Sequence, residues 1–299
     1  MESPTKKRSA PEEQDILDTV KAVLLDIEGT TTPLTFIKET LCGYIKDNVQ
    51  EYLENHWDAT ECKTDVEALC EQAKKDKEEK VEGVVEVPAV TEGEEGENDK
   101  KDVIDAVVKN VLWQMTTGKP TKSLSQIQGH VWREAYKTGK IQGELFDDIE
   151  PALKAWSAKE LKVYLFSAGT VDTQKLLFGY SAKGDLQELV KGYFDLTVGG
   201  KMEKEAYTKI VEEMDLKPEE VIFFTGVTAE ATAAADAGLK TCIVVREDIV
   251  LTDEEKKKFN TISSFTELLT DAVDGETPAK KVEKKVEKEV EPEPEAVTA

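Results

Sequence analysis

Apolar residues never run on for eighteen positions in this sequence, and that absence removes any helix able to span a bilayer. The opening MESPTKKRSAPEEQ is polar and lacks the apolar stretch of a secretory signal, so the expected compartment is cytoplasm or nucleus. Histidine is scarce: His56 and His130 are the only two in 299 residues, which leaves little room for histidine chemistry. The four cysteines, Cys42, Cys62, Cys70 and Cys242, show no C-x-x-C spacing, which points to reduced thiols rather than zinc ligands or disulfides. Also missing are a G-x-x-x-x-G-K phosphate loop, a G-x-G-x-x-G fingerprint after a strand, and a G-x-S-x-G elbow.

Positive charge is short as well. Thirty-nine Lys and Arg face 62 Asp and Glu, a formal net charge of −23 that repels nucleic acid and acidic membranes. The expected partner is a small molecule. Much of the charge lies in a tract from about Glu71 to Asp102 and in a tail from about Val273, both of which read as solvated. Val282, Val286 and Val290 recur at helical spacing, but Pro292 and Pro294 follow, so a flexible tail is the better reading. The Lys6-Lys7-Arg8 cluster reads as a solvated tip rather than a nuclear signal.

What is present is an alternation of short β-rich runs with amphipathic stretches, the habit of a parallel sheet covered by helices. Strands are predicted at Ala22–Leu25, Val163–Phe166, Phe194–Val198, Val221–Thr225 and Thr241–Val245. Helices are predicted at Glu203–Met214 and at Ala229–Ala237, the latter closed by Gly238. The fold class is therefore α/β, a doubly wound parallel sheet. From Thr35 to Glu144 no β pattern occurs, but helical ones do, at Ile37–Trp57, Val103–Met115 and Ser125–Lys137. Residues 35–144 thus predict an inserted helical cap containing the acidic tract as a loop, with 20–34 and 145–272 forming the core. A polar segment, 1–19, precedes it, and the tail, 273–299, follows.

The segment KAVLLDIEGTTTP ends an apolar strand on Asp26 and Glu28, two carboxylates two positions apart. A carboxylate can attack a phosphoryl group directly when a cation offsets the charges that meet there. Glu28 can then serve as acid and base if its surroundings raise its pKa. Gly29 allows a tight turn, and Thr30 offers a hydroxyl to phosphate or to nearby backbone. The bland alternative is an exposed Asx turn. Three further stations weigh against it. Ser167-Ala168-Gly169-Thr170 lead from a strand into a helix whose first N–H groups can cradle phosphate. Lys201 follows Gly199-Gly200 and can bring positive charge to the phosphoryl oxygens. The strand VIFFT opens into Gly226-Val227-Thr228-Ala229-Glu230, a loop suited to present an acid to a metal. Each signal alone is weak, because a Ser at a helix start is usually an N-cap and a single Lys is usually solvated surface.

With LLDIEGTTTP, GELFDDIEPAL, FSAGTVDTQKLLFGYSAKGDL, GYFDLTVGGKMEKEAYTKI and TGVTAEATAAADAGLKTCIVVR together, the chain resembles the haloacid dehalogenase superfamily. More narrowly it resembles the enolase-phosphatases of methionine salvage, over nearly the whole core from Lys21 to about Leu269. That resemblance implies a magnesium enzyme, one Mg2+ per subunit, usually monomeric. It implies enolisation and dephosphorylation of 2,3-diketo-5-methylthiopentyl-1-phosphate to 1,2-dihydroxy-3-keto-5-methylthiopentene. It also implies Asp26 as nucleophile and metal ligand and Glu28 as acid and base, its main-chain carbonyl facing the metal. Ser167 and Ala168 would bind phosphate and substrate, and Lys201 the phosphoryl group.

Two departures stand out. The family pattern has serine where Ala168 stands, which removes a hydroxyl but no backbone N–H. It has aspartate where Gly226 stands, which leaves the ion with Asp26 alone unless Glu230 or Asp236 moves in. Losing one anionic ligand costs on the order of 1.5 to 3 kcal/mol of metal affinity, so a working but metal-hungry enzyme is expected. The alternatives are a phosphatase of the same superfamily acting on another small phosphomonoester, and a catalytically weakened homologue serving as a binding or scaffold protein.

Overall fold

The computed structural model describes residues 16–88, 97–118, 121–247 and 249–269. The basic cluster near the N-terminus, the tail from Val273 and the middle of the acidic tract lie outside the described residues.

Six strands form one parallel sheet: β1 (Ala22–Leu25), β2 (Lys162–Phe166), β3 (Gly192–Phe194), β4 (Val221–Thr225), β5 (Lys240–Val244) and β6 (Asn260–Ile262), in the order β3-β2-β1-β4-β5-β6. The central strands are unbroken apolar runs because a parallel sheet covered by helices is buried on both faces. Alternate residues still part company. Val23, Leu25, Ile222 and Phe224 pack against Trp156 and Phe265, whereas Ala22, Leu24, Val221 and Phe223 pack against Tyr207 and Ile210.

The third strand lies earlier than the predicted Phe194–Val198. Asp195 takes the N–H and hydroxyl of Thr197 at 3.0 and 2.6 Å and the N–H of Val171 at 3.2 Å, so a side-chain turn displaces the strand there. Strand β6 had no apolar run to announce it, because Asn260 and Thr261 are exposed at the sheet edge.

The insertion holds α1 (Cys42–His56), entered through a π-helical turn at Phe36–Leu41, then α2 (Thr60–Glu78), α3 (Glu97–Thr116) and α4 (Lys122–Lys137). Helices α2 and α3 take residues from both ends of the acidic tract, so the loop predicted from Glu71 to Asp102 is shorter than its charge suggested. Between the two helices, Asn110 donates to the Val85 carbonyl at 2.6 Å and Val87 is buried. Apolar residues at helical spacing within the charge, such as Val66, Leu69, Cys70 and Ala73, explain why α2 continues. The insertion has its own apolar cluster, separate from those on the sheet, and Tyr44 and Trp132 pack against both. Buried Asp65 of α2 is met by His130 Nδ1 at 2.6 Å and Gln126 at 2.7 Å from α4, a polar tie across the cluster.

The sheet is flanked by α5 (Ile149–Ala158), α6 (Val171–Gly179), α7 (Lys204–Met214), α8 (Thr228–Asp236) and α9 (Asp253–Lys258). Strand order reverses between β1 and β4, and in open α/β sheets ligands bind outside the carboxyl ends of strands at such a switch point. Asp26 and Gly226 are the next residues of those two strands.

Candidate active site

Asp26 continues the β1–β4 ladder, its N–H donating to the Phe224 carbonyl at 2.9 Å, and its side chain is 1% exposed. The turn that follows is compact because the Ile27 carbonyl receives the N–H groups of Thr30, Thr31 and Thr32 at 3.1, 3.0 and 3.0 Å. Gly29 makes that turn possible at φ +76°, a left-handed conformation that side chains resist. Thr30 is thereby folded back onto the carboxylate, donating to Asp26 Oδ2 at 2.8 Å and accepting the Gly226 N–H at 2.9 Å.

Lys201 pairs with Asp26 Oδ1 and lies 3.1 Å from Glu230 Oε1. Its main chain is fixed by the Tyr207 hydroxyl, which donates to the Lys201 carbonyl at 2.6 Å. Thr225 Oγ1 donates to Glu230 Oε2 at 2.7 Å and stands 3.4 Å from Asp26 Oδ2. Ser167 Oγ donates to Glu28 Oε1 at 2.7 Å and accepts the Gly169 N–H at 2.9 Å. The structure thus brings together Asp26, Glu28, Thr30, Ser167, Lys201 and Glu230.

Electrostatics follow from three carboxylates around one ammonium. Burial and the neighbouring Asp26 raise the pKa of Glu28 above the usual carboxylate range. The same two causes push Glu230 up to about 7. Burial by itself would lower Lys201, but Asp26, Glu230 and Glu28 outweigh it and hold the ammonium well above its ordinary value.

Several of the expected site groups have partners within the protein. The N–H groups of Gly169, Val171 and Thr173 go to Ser167 Oγ, Asp195 Oδ2 and Thr170 Oγ1, so the start of α6 does not offer them as a phosphate cradle. Ala168 is exposed, with no side-chain polar atom to offer. Glu230 is held between Lys201 and Thr225, with one oxygen facing each. Asp236 is exposed at the last residue of α8.

Sequence reasoning missed Thr225 and the pair Arg246–Asp148. Arg246 reaches the Thr30 carbonyl and grips Asp148 at 2.9 and 3.0 Å, while Asp148 also accepts from the Phe265 N–H at 2.8 Å. The only signal was a polar residue closing each apolar strand, VIFFT and CIVVR, which many strand ends show.

A cavity of about 720 Å³ opens between α4 and α6, lined by Gln126, His130, Arg133, Ala168, Thr170 and Lys175 among others. Asp172 and Asp195 line it, whereas Asp26, Glu28 and Glu230 do not. It reaches the cluster's edge at Ala168, next to Ser167.

The donors around Asp26 are hard oxygens, and among the described residues no group of three His, Cys, Asp or Glu converges as a ready metal cage. Magnesium suits such a place, because it keeps several waters and is commonly held by one or two carboxylates plus substrate phosphate. The residues therefore fit the ion in a single-carboxylate form.

Residues 20–238 match the family model of haloacid dehalogenase-like hydrolases. The chain is 45% identical over 248 residues to "Enolase-phosphatase E1" of Salmo salar, covering 83% of this chain and 94% of the relative. It is 38% identical over 247 residues to a "Probable bifunctional methylthioribulose-1-phosphate dehydratase/enolase-phosphatase E1" of Oryza sativa subsp. indica, covering 82% of this chain and 46% of that protein. Among solved structures, the unknown transcript 4 protein of Saccharomyces cerevisiae superposes with a TM-score of 0.63 at 25% identity, covering 82% of this chain and 98% of the other.

Proposed function

The chain belongs to the haloacid dehalogenase-like hydrolase family and, within it, to the enolase-phosphatase E1 group, and on that premise we propose that it enolises and dephosphorylates 2,3-diketo-5-methylthiopentyl-1-phosphate in methionine salvage. The observation that carries the reading is Asp26 itself: a buried carboxylate at the switch point, with Lys201 on one oxygen and Thr30 on the other.

In this mechanism Asp26 attacks phosphorus, the phosphorus–oxygen bond to the carbon skeleton breaks, and the departing oxygen takes a proton from Glu28. Burial beside Asp26 suits Glu28 to the task, because it raises the carboxyl above the usual range and so favours its role as an acid. Ser167 holds Glu28 in place. Glu28 then takes a proton from water, whose oxygen attacks the aspartyl-phosphate, releasing inorganic phosphate and restoring Asp26. Lys201 brings its charge to the phosphoryl oxygens. Magnesium, one per subunit and held by the Asp26 carboxylate and the Glu28 main-chain carbonyl, would offset the negative charge where phosphate meets carboxylate.

The insertion, 35–144, acts as a cap over the core formed by 20–34 and 145–272, and the cavity at Ala168 supplies room for the substrate beyond its phosphate. A monomer in cytoplasm and nucleus completes the reading. Phosphate release from the diketo phosphate, with and without magnesium, tests it together with trapping by beryllium fluoride. Asp26→Asn should abolish both. Release by that variant at the parent rate would sink the proposal, and equal turnover of sugar phosphates would move the substrate assignment elsewhere.

A further inference from the structure

The cavity of about 720 Å³ between α4 and α6 falls in the range, roughly 300 to 1,000 Å³, that takes a whole drug-sized molecule. On α4 it is lined from Lys122 to Lys137, the first and last residues of that helix, so it runs as a groove roughly 22 Å long. A five-carbon skeleton held at Asp26 and entering beside Ala168 fills only part of that length. The rest of the groove has no assigned occupant.

Its α4 wall is rigid. Gln126 and His130 are both tied to buried Asp65 of α2, at 2.7 and 2.6 Å, and Arg133 is paired with Glu61. Its charge runs against that of the whole chain. In a sequence of net charge −23, Lys122, Lys137 and Lys175 all line the groove, and among the described residues none of the three makes an ion pair. Lys175 has only the Tyr193 ring, 5.7 Å from its ammonium. Of the two lining carboxylates, Asp195 is spent on the N–H groups of Val171 and Thr197, which leaves Asp172 against three ammonium groups. Among the cations lie Leu176, Tyr180 and Leu196, the last two 40% and 43% exposed. Apolar surface left open and rimmed by charge marks a binding place.

We propose that this groove is a second binding site, separate from Asp26, for an elongated organic anion with an apolar middle. The lysines supply charge to its acidic groups, and Leu176, Tyr180 and Leu196 cover its body. One wall belongs to the insertion and the other to the core, so the occupant touches both. The inference goes beyond the reaction at Asp26, and the groove keeps its charge and shape whatever phosphate ester is turned over there.

Calorimetry on the full chain with bis-ANS, a rigid aromatic dye carrying two sulfonates, tests this. One dye should bind per chain, and Lys122→Glu combined with Lys137→Glu should weaken it at least about 10-fold. Lys63→Glu combined with Lys209→Glu alters net charge equally at exposed helix positions outside the groove, and should weaken the dye less than about 3-fold. No binding, several dyes per chain, or equal weakening by the two pairs overturns the proposal. The groove variant should also keep kcat/KM for the diketo phosphate within about 3-fold of the parent, and a larger loss overturns the proposal, because the lysines would then serve the substrate. Should reversed charges disturb folding, Lys122→Gln with Lys137→Gln takes their place, expected to weaken the dye at least about 3-fold while Lys63→Gln with Lys209→Gln leaves it unchanged. A parent protein that binds the dye in this way yet fails to turn over the diketo phosphate would count against the substrate assignment alone.

Discussion

Two nitrogens of Arg246, Nε at 3.1 Å and Nη2 at 2.9 Å, converge on the main-chain oxygen of Thr30. Thr30 in turn donates to Asp26, so an arginine from the loop after β5 sets the turn that aims the carboxylate at the end of β1. The same guanidinium is paired with Asp148 next to α5 and stacks 4.1 Å from the Phe146 ring centre, so one side chain fastens three segments.

Replacing Arg246 by methionine should therefore cost stability as well as turnover. Asp148 would remain buried without its partner, a loss of about 3 kcal/mol in urea unfolding. Adding Asp148→Asn to that variant should recover part of the loss, since the stranded charge is then gone. A double variant no more stable than Arg246→Met would contradict this account.

Asp148 also sets a pH dependence. Burial would raise its carboxyl, but Arg246, the Phe265 N–H and the Ser264 hydroxyl outweigh burial and hold it below the ordinary carboxylate value. A carboxyl with a folded pKa below its unfolded one, about 3.9, stabilises the fold above that unfolded value. The contribution is lost as pH falls through the folded pKa. Asp148→Asn should thus be less stable than the parent at neutral pH, with the gap closing as pH falls below the ordinary carboxylate value and through the lowered folded one. Urea midpoints measured across that range would show a constant gap if the pairing contributed nothing.

Lys201→Met removes the one ammonium that faces both Asp26 and Glu230. Turnover should fall about 100- to 1,000-fold at saturating magnesium, the usual scale for a lost charge at a reacting phosphoryl group or oxyanion. A loss smaller than tenfold would show that the lysine serves structure alone.

Thr225→Val keeps shape and deletes a hydroxyl. Glu230 Oε2 would lose its 2.7 Å donor in a buried place, costing about 1 to 2 kcal/mol of stability, whereas Thr225→Ser should stay close to the parent. Equal behaviour of the two variants in thermal unfolding would remove the hydroxyl from the account.

The sheet was legible in the sequence wherever burial on both faces imposed an unbroken apolar run: β1 and β4 fall where VLL and VIFF announced them. The edge was not. Strand β6 and the true position of β3 depend on pairing with a neighbour and on Asp195 gathering local N–H groups, neither of which leaves a periodic trace. Charge also misled, since α2 and α3 run into a tract whose buried residues sit among lysines and glutamates.

For the site, sequence alone determined which chemistry was on offer, because side-chain identity and strand-end position follow from local order: Asp26, Glu28, Ser167 and Lys201 all lie just beyond predicted strands. Only the tertiary structure decided what each one touches. Glu230 became the partner of Lys201, and Thr225 its donor, through contacts between residues as much as 29 positions apart. Such contacts are fixed by how helices and loops fold back on the sheet, and hydrogen bonding and steric exclusion over a few ångströms are properties of that arrangement rather than of the order of residues.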